Sequence, residues 1–431
     1  MVASAEGARE DTAPDTAPLA GPGATTSRAW RMLALVSVAE LLGMSLWFAG
    51  SAAAPQLTAR WALGASEVGG LTTAVQLGFV VGTAVSALLN LADIVPARRL
   101  FALSAVGGAL ANATLLVAPT YWSVLVGRAA VGFFLAGVYP PAMKMAATWF
   151  TARRGLAVGT VVGALTIGKA TPYLWHAVPD VSLAVVVLAA STSALAAALL
   201  VGGWWQDGPH AFPSRPFHWG LVREVVREPR WRLSTGGYLG HMAELYSYWT
   251  WIPVFIAASA VAAGADATIP SPPWVGVLAF ATIAVGGFGC VWGGLVGDRI
   301  GRARVAMLAM AASGACALAI GFVFGRSPWL LAPLALAWGF FVIADSAQFS
   351  VLVTESVPPH AVGTALTVQV CLGFLLTTLT IQLIPPLVAR VGWGVAFAFL
   401  AIGPALGIAA LARLPRARAP AAPSVVRGIA P

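Results

Sequence analysis

Seven ionisable side chains of this 431-residue chain lie inside long apolar runs: Glu40, Arg128, Lys144, Lys169, His241, Glu244 and Asp345. A carboxylate or imidazole placed there can take up and return a proton, and an ammonium or guanidinium can hold and release an anion. Glu40 and Glu244 are the first candidates for proton coupling. His241 lies three residues before Glu244, on the same helix face, where it can tune that carboxylate or relay its proton. Asp345 belongs to the polar patch "ADSAQFS", with Ser346, Gln348 and Ser350 behind it, which marks a wetted face. Lys144 and Lys169 are the only lysines; every other basic residue among the 25 is arginine. Lys169, between Gly168 and Pro172, offers a compact charge suited to a carboxylate. Lys144 lies near a run's end, from which it can snorkel to headgroups or face a cavity.

The elements that must position these groups are membrane helices. The chain is 59% hydrophobic and 10% charged, with a mean hydropathy of +0.83, whereas soluble domains carry about 25% charged residues. A helix crosses a bilayer with roughly 20 apolar residues, and twelve runs qualify: 31–53, 68–90, 99–119, 121–147, 153–175, 181–203, 233–258, 274–297, 304–325, 328–354, 362–387 and 391–413. The expected fold is therefore all-α, with twelve transmembrane helices. Nineteen basic residues fall on the side of the termini and three (Arg60, Arg326, Arg390) on the other, so both termini are expected in the cytoplasm. Lipid headgroups account for the net charge of +9 without nucleic acid. Residues 1–28 and 415–431 read as cytoplasmic tails, the first of them disordered. The stretch 204–232 reads as a cytoplasmic linker between bundles 29–203 and 233–414. Its "LVREVVRE" is expected as a short amphipathic helix on the membrane surface. Cys290, Cys316 and Cys371 all fall in spans, with no disulfide framework.

Depth ranks the charges. Glu40 and Glu244 lie about ten residues from a cytoplasmic end, roughly 15 Å in and near the midplane. Arg128 and Lys169 lie at a common depth, roughly 9–10 Å below the outer surface.

The chain also repeats itself. "VAELLGMSLWF" in the first run and "MAELYSYWTWI" in the seventh each place Glu after Ala, and Trp seven positions on (Trp47, Trp251). Asp93 and Asp298 occupy the loops after the second and eighth runs, and Gly132 and Gly339 align in "VGFFLAG" and "WGFFVIA". The separations are 204, 205 and 207 positions. Three matches in order at nearly one offset describe two six-helix halves related by an axis along the membrane normal.

"GLVGDRIGR", Gly294 to Arg302, resembles the G-x-x-x-D-R-x-G-R loop motif of the major facilitator superfamily. In the first-half copy Asp93 stays, while Ile94 and Pro96 replace Arg and Gly. Arg128 with Gly132 is similar to that family's R-x-x-x-G motif. The resemblance implies a secondary transporter of two pseudo-symmetric bundles in the bacterial cytoplasmic (inner) membrane, working by alternating access as a monomer. It implies gating by Asp93, Gly294, Asp298, Arg299, Gly301 and Arg302. Substrate contacts are expected from Lys169, Arg128, Tyr139, Asp345 and Trp251. Proton coupling is expected from Glu40, Glu244 and His241.

Three buried positive groups favour a small organic or inorganic anion, as in the family's cyanate, nitrate/nitrite and oxalate porters, coupled to protons or a counter-substrate. The alternative is a proton-coupled efflux antiporter for drugs or metabolites. The chain has no G-x-x-x-x-G-K-[ST] loop for ATP, no H-E-x-x-H and no G-x-S-x-G, and its five histidines are scattered. Neither an enzyme nor a cofactor or metal site is expected.

Overall fold

The computed structural model describes residues 22–150, 153–178, 181–210, 217–266 and 271–414. Most of both expected tails and part of the 204–232 connection lie outside them. The described residues contain helices and no strand. Eleven helical segments are long and apolar enough to cross a membrane: α1 (Ser27–Trp61), α2 (Ala65–Leu88), α3 (Ala97–Leu116), α4 (Tyr121–Trp149), α6 (Leu183–Trp204), α7 (Pro229–Ala262), α8 (Pro273–Ile300), α9 (Arg302–Val323), α10 (Pro328–Thr354), α11 (Pro359–Val391) and α12 (Trp393–Leu411). The remaining span is α5, Arg154–Ala170, shorter as an α-helix than its apolar run. From Thr171 it tightens into a 3-10 stretch to Ala177, because Pro172 removes an N–H from the α-helical ladder.

The two halves pack by one scheme. In the first, α1 lies against α5 and α6, α2 against α4, and α3 against α4 and α6. In the second, α7 lies against α11 and α12, α8 against α10, and α9 against α10 and α12, the same pairs six helices later. The correspondence reaches single atoms. Gly132 of α4 lies so close to α2 that an added Cβ would stand 2.0 Å from the Val75 carbonyl oxygen, and Gly339 of α10 lies 1.7 Å by the same measure from that of Thr282 in α8. Both contacting pairs are 207 positions apart in sequence. Small residues permit such approaches, and in a bilayer close packing is what holds helices together. The α-helical geometry of α4 also lapses between Leu135 and Tyr139, and that of α10 at Asp345, again at corresponding positions.

The halves meet along two seams, α2 with α11 and α5 with α8. The face holding the start of α1 and the end of α12 is called the termini face. On the opposite face the amide of Gln382 in α11 donates to the Ser66 carbonyl at 3.2 Å and to Thr73 Oγ1 at 3.3 Å, both on α2. Exposed tryptophans mark both ends of the bundle, Trp122 and Trp329 on that face, Trp204 and Trp219 on the termini face, as interfacial anchors do. The connecting sequence does form a helix, Trp219–Arg227. It docks on the second half: Val225 packs with Trp231 and Ala365, and the His218 N–H donates to Thr364 Oγ1 at 3.0 Å. Its apolar stripe is thus turned to protein where lipid was expected.

A candidate substrate site between the halves

Lys169 stands at the centre of the molecule's chemistry. Its side chain is 2% exposed, and Nζ donates to Tyr246 Oη at 2.6 Å. Three rings surround the ammonium, with centroids 3.8 Å away for Trp47, 4.8 Å for Tyr246 and 4.9 Å for Trp249. Trp47 comes from α1 of the first half, and Tyr246 and Trp249 from α7 of the second. A lysine of one half is therefore held by aromatic residues of both. The rings continue outward, since Phe79 of α2 and Phe374 of α11 meet at 4.5 Å and both touch Trp47. Glu40, about two turns before Trp47, is fully buried with neither carboxylate oxygen hydrogen-bonded. It lies within electrostatic reach of Lys169 and of the half-buried Tyr139.

Arg128 reaches this cluster from behind. α1 breaks at Ser45, and Leu46 and Trp47 open the stretch beyond the break. Arg128, fully buried, donates to the carbonyls of Leu46 (3.0 Å) and Trp47 and to Asn112 Oδ1 (3.0 Å). Asn112 is fixed in turn by Val187 and Ser191 of α6, each at 3.1 Å. Arg128 so secures the backbone of the residue whose ring carries the Lys169 ammonium. The two cations share Trp47 without facing one pocket.

The second half treats its acids differently. Glu244 accepts from Ser313 Oγ and from Trp338 Nε1, both at 2.8 Å, and is enclosed by α9 and α10. His241 turns to another partner: its Nδ1 stands 2.8 Å from Asp345 Oδ1, both side chains 1% exposed. Asp345 occupies the break in α10, so this pair ties the hinge of α10 to α7. Trp251 lies nearer the opposite face, donating to the Ile381 carbonyl at 2.9 Å and packing against Gly69 of α2. It belongs to the closure there and is not among the rings around Lys169.

The loop motif forms a latch on the termini face. Arg302 binds Asp298 Oδ1 at 3.1 Å and Gln348 Oε1 at 3.2 Å, and approaches Glu355 at 3.8 Å. The Asp298 carboxylate lies against Gly155 in the first turn of α5, where a Cβ would be 3.3 Å from Oδ2. A helix N-terminus favours that negative charge. Gly294 packs on the Gly155 carbonyl. Gly301 adopts φ +94°, open only to glycine, and turns the chain from α8 into α9. Arg299 points outward, exposed. Asp93 falls in a short helix, Leu91–Ile94; its side chain lies outside what the structure describes.

A family model of the Major Facilitator Superfamily matches residues 35–380, most of the chain. The chain belongs to the major facilitator superfamily. The crystal structure of a mutant nucleoside transporter NupG superposes with a TM-score of 0.67 over 88% of this chain and 99% of that one, at 14% identity, a likeness of fold. The MFS-type transporter hasB of Aspergillus fumigatus (strain CBS 144.89 / FGSC A1163 / CEA10) is 32% identical over 98 residues, a stretch covering 22% of this chain and 21% of that relative. Membership of that family makes the protein a multi-pass membrane transporter. Within this superfamily fold, the sequence pointed to Lys169, Glu40 and Tyr139, which the structure brings together. It did not point to Trp249, Asn112, Ser313 or Trp338. These are neutral side chains whose part is visible only through their partners.

Proposed function

We propose that this transporter carries a small anion, coupled to protons or a counter-substrate, by rocking its two bundles about Lys169. In this reading it resides in the bacterial cytoplasmic membrane with both termini in the cytoplasm. The observation that supports it is the Lys169 ammonium, buried at the seam with one hydrogen bond and three ring faces. A charge within the bilayer costs about 2.5–3.5 kcal/mol on insertion scales. A desolvated cation–π contact returns about 2 kcal/mol, and an interhelical hydrogen bond in membrane about 0.6 kcal/mol. The terms nearly cancel, so the ammonium is held without being trapped. Arg128, with three acceptors, is tied down and serves as a positioning residue.

Glu40 supplies the coupling. Ionised, it competes for the ammonium; protonated, it releases Lys169 to an anion. A proton and an anion then bind together and travel in the same direction. Breaking the Lys169–Tyr246 bond frees the halves at this level, and the Asp298–Gly155 latch closes or opens the termini face in turn. The His241–Asp345 pair, at the hinge of α10, is the second protonatable element on this route.

The test is anion-driven proton uptake in proteoliposomes. Glu40→Gln mimics the protonated acid, so anion binding should persist while its pH dependence disappears. Unchanged pH dependence in that variant would defeat the coupling role.

A further inference from the structure

We infer that the anion held at Lys169 is a carboxylate borne on a flat aromatic or heteroaromatic ring. The inference rests on the proposed anion site and adds the shape and chemistry of the rest of the substrate. Two independent features point to it.

The first is a surplus of donors. Lys169 makes one hydrogen bond through three N–H groups. The indole N–H groups of Trp47 and Trp249, whose rings lie 3.8 and 4.9 Å from that ammonium, are buried with no acceptor. Buried donors are nearly always satisfied in a folded protein. A carboxylate brings about four lone-pair sites on two oxygens and can meet an ammonium and an indole at once.

The second is the surface around them. Trp47 and Phe79 of the first bundle face Tyr246 and Phe374 of the second across the seam, with ring centroids 4.5 to 5.8 Å apart. When the bundles part, these contacts open and ring faces meet water. A flat ring entering between them restores stacking on both sides. Nitrate or acetate satisfies the donors and leaves the ring faces wet. An organic cation finds the cage already holding the ammonium of Lys169.

The measurement is the current elicited by concentration jumps of benzoate, acetate, nitrate and benzylamine on proteoliposomes of the full chain. Benzoate should half-saturate at least tenfold lower than acetate, equivalent to about 1.4 kcal/mol. Lys169→Gln should raise the half-saturating concentration of both by about 10–100-fold. Trp47→Leu should reduce benzoate to the level of acetate, and Phe374→Leu, on the other bundle, repeats the test if that variant does not fold. Equal responses to benzoate, acetate and nitrate in wild type would overturn the aromatic inference and leave the anion site standing. The same holds if the benzoate preference survives the ring variants, since the rings are then a closing plug only. A response to benzylamine alone, or to none of the four, would overturn both.

Discussion

Helices α1 and α7 open the two bundles with the same Ala-Glu-Leu, yet their glutamates have opposite surroundings. Glu244 is met by Ser313 and Trp338. Glu40 is met by no hydrogen-bond donor. The repeat explains why. At the separation that aligns the glycines, Val131 stands where the second half has Trp338, and Val106 where it has Ser313. The backbones diverge alongside. α7 runs unbroken from Pro229 to Ala262, while α1 breaks at Ser45. Arg128, which binds the two carbonyls just beyond that break, corresponds to Ala335. One fold thus holds two chemistries: a second bundle whose Glu244 is bonded within it, and a first bundle that leaves a carboxylate and an ammonium loosely held near the seam.

The sharpest way to break this contrast is to remove Arg128. Arg128→Ala deletes three buried charge-assisted hydrogen bonds, each worth about 1.5–3 kcal/mol. It should lower the melting temperature of the purified protein more than any other substitution considered. Unchanged melting would mean that these bonds do not hold the start of the second stretch of α1. Lys169→Gln should leave melting nearly intact and weaken anion binding by about 10–100-fold, the worth of a charge-assisted hydrogen bond.

The two glutamates should then separate in one assay. Glu40→Gln should flatten the pH profile of transport. Glu244→Gln keeps an acceptor for Trp338 and should leave the profile in place, with a stability loss of about 1 kcal/mol or less. A flattened profile in both would erase the distinction between the bundles. The most local effect belongs to the latch: Gly301→Ala forces a side chain into a glycine-only conformation, about 1–3 kcal/mol of strain confined to one turn. It should shift the balance between open and closed termini faces, read as the distance between spin labels on the two bundles there.

Much of the architecture was legible in the sequence. Apolar runs of bilayer length and one recurring offset gave the spans and the repeat, because lipid imposes both length and composition. Pro172 announced the change in α5. The pairing of charges was not legible. His241 reads naturally with Glu244, three residues away, yet it pairs with Asp345, 104 positions on. Arg128 and Lys169 were expected at a common depth, and depth says nothing of rotation about a helix axis. Nor did anything in "LLGMSLWF" reveal that α1 would break and turn its carbonyls to Arg128. The helix in the connection was read correctly as amphipathic, and composition could not say whether lipid or α11 would cover it.

The central claim is that Lys169, and not Lys144, meets the substrate. The direct measurement is the anion-induced current in proteoliposomes of wild type, Lys169→Ala and Lys144→Ala, compared at equal protein density. A current is expected in wild type and Lys144→Ala and none in Lys169→Ala, with all three melting alike. A current undiminished in Lys169→Ala would contradict it and leave the caged lysine as a fastening between the bundles.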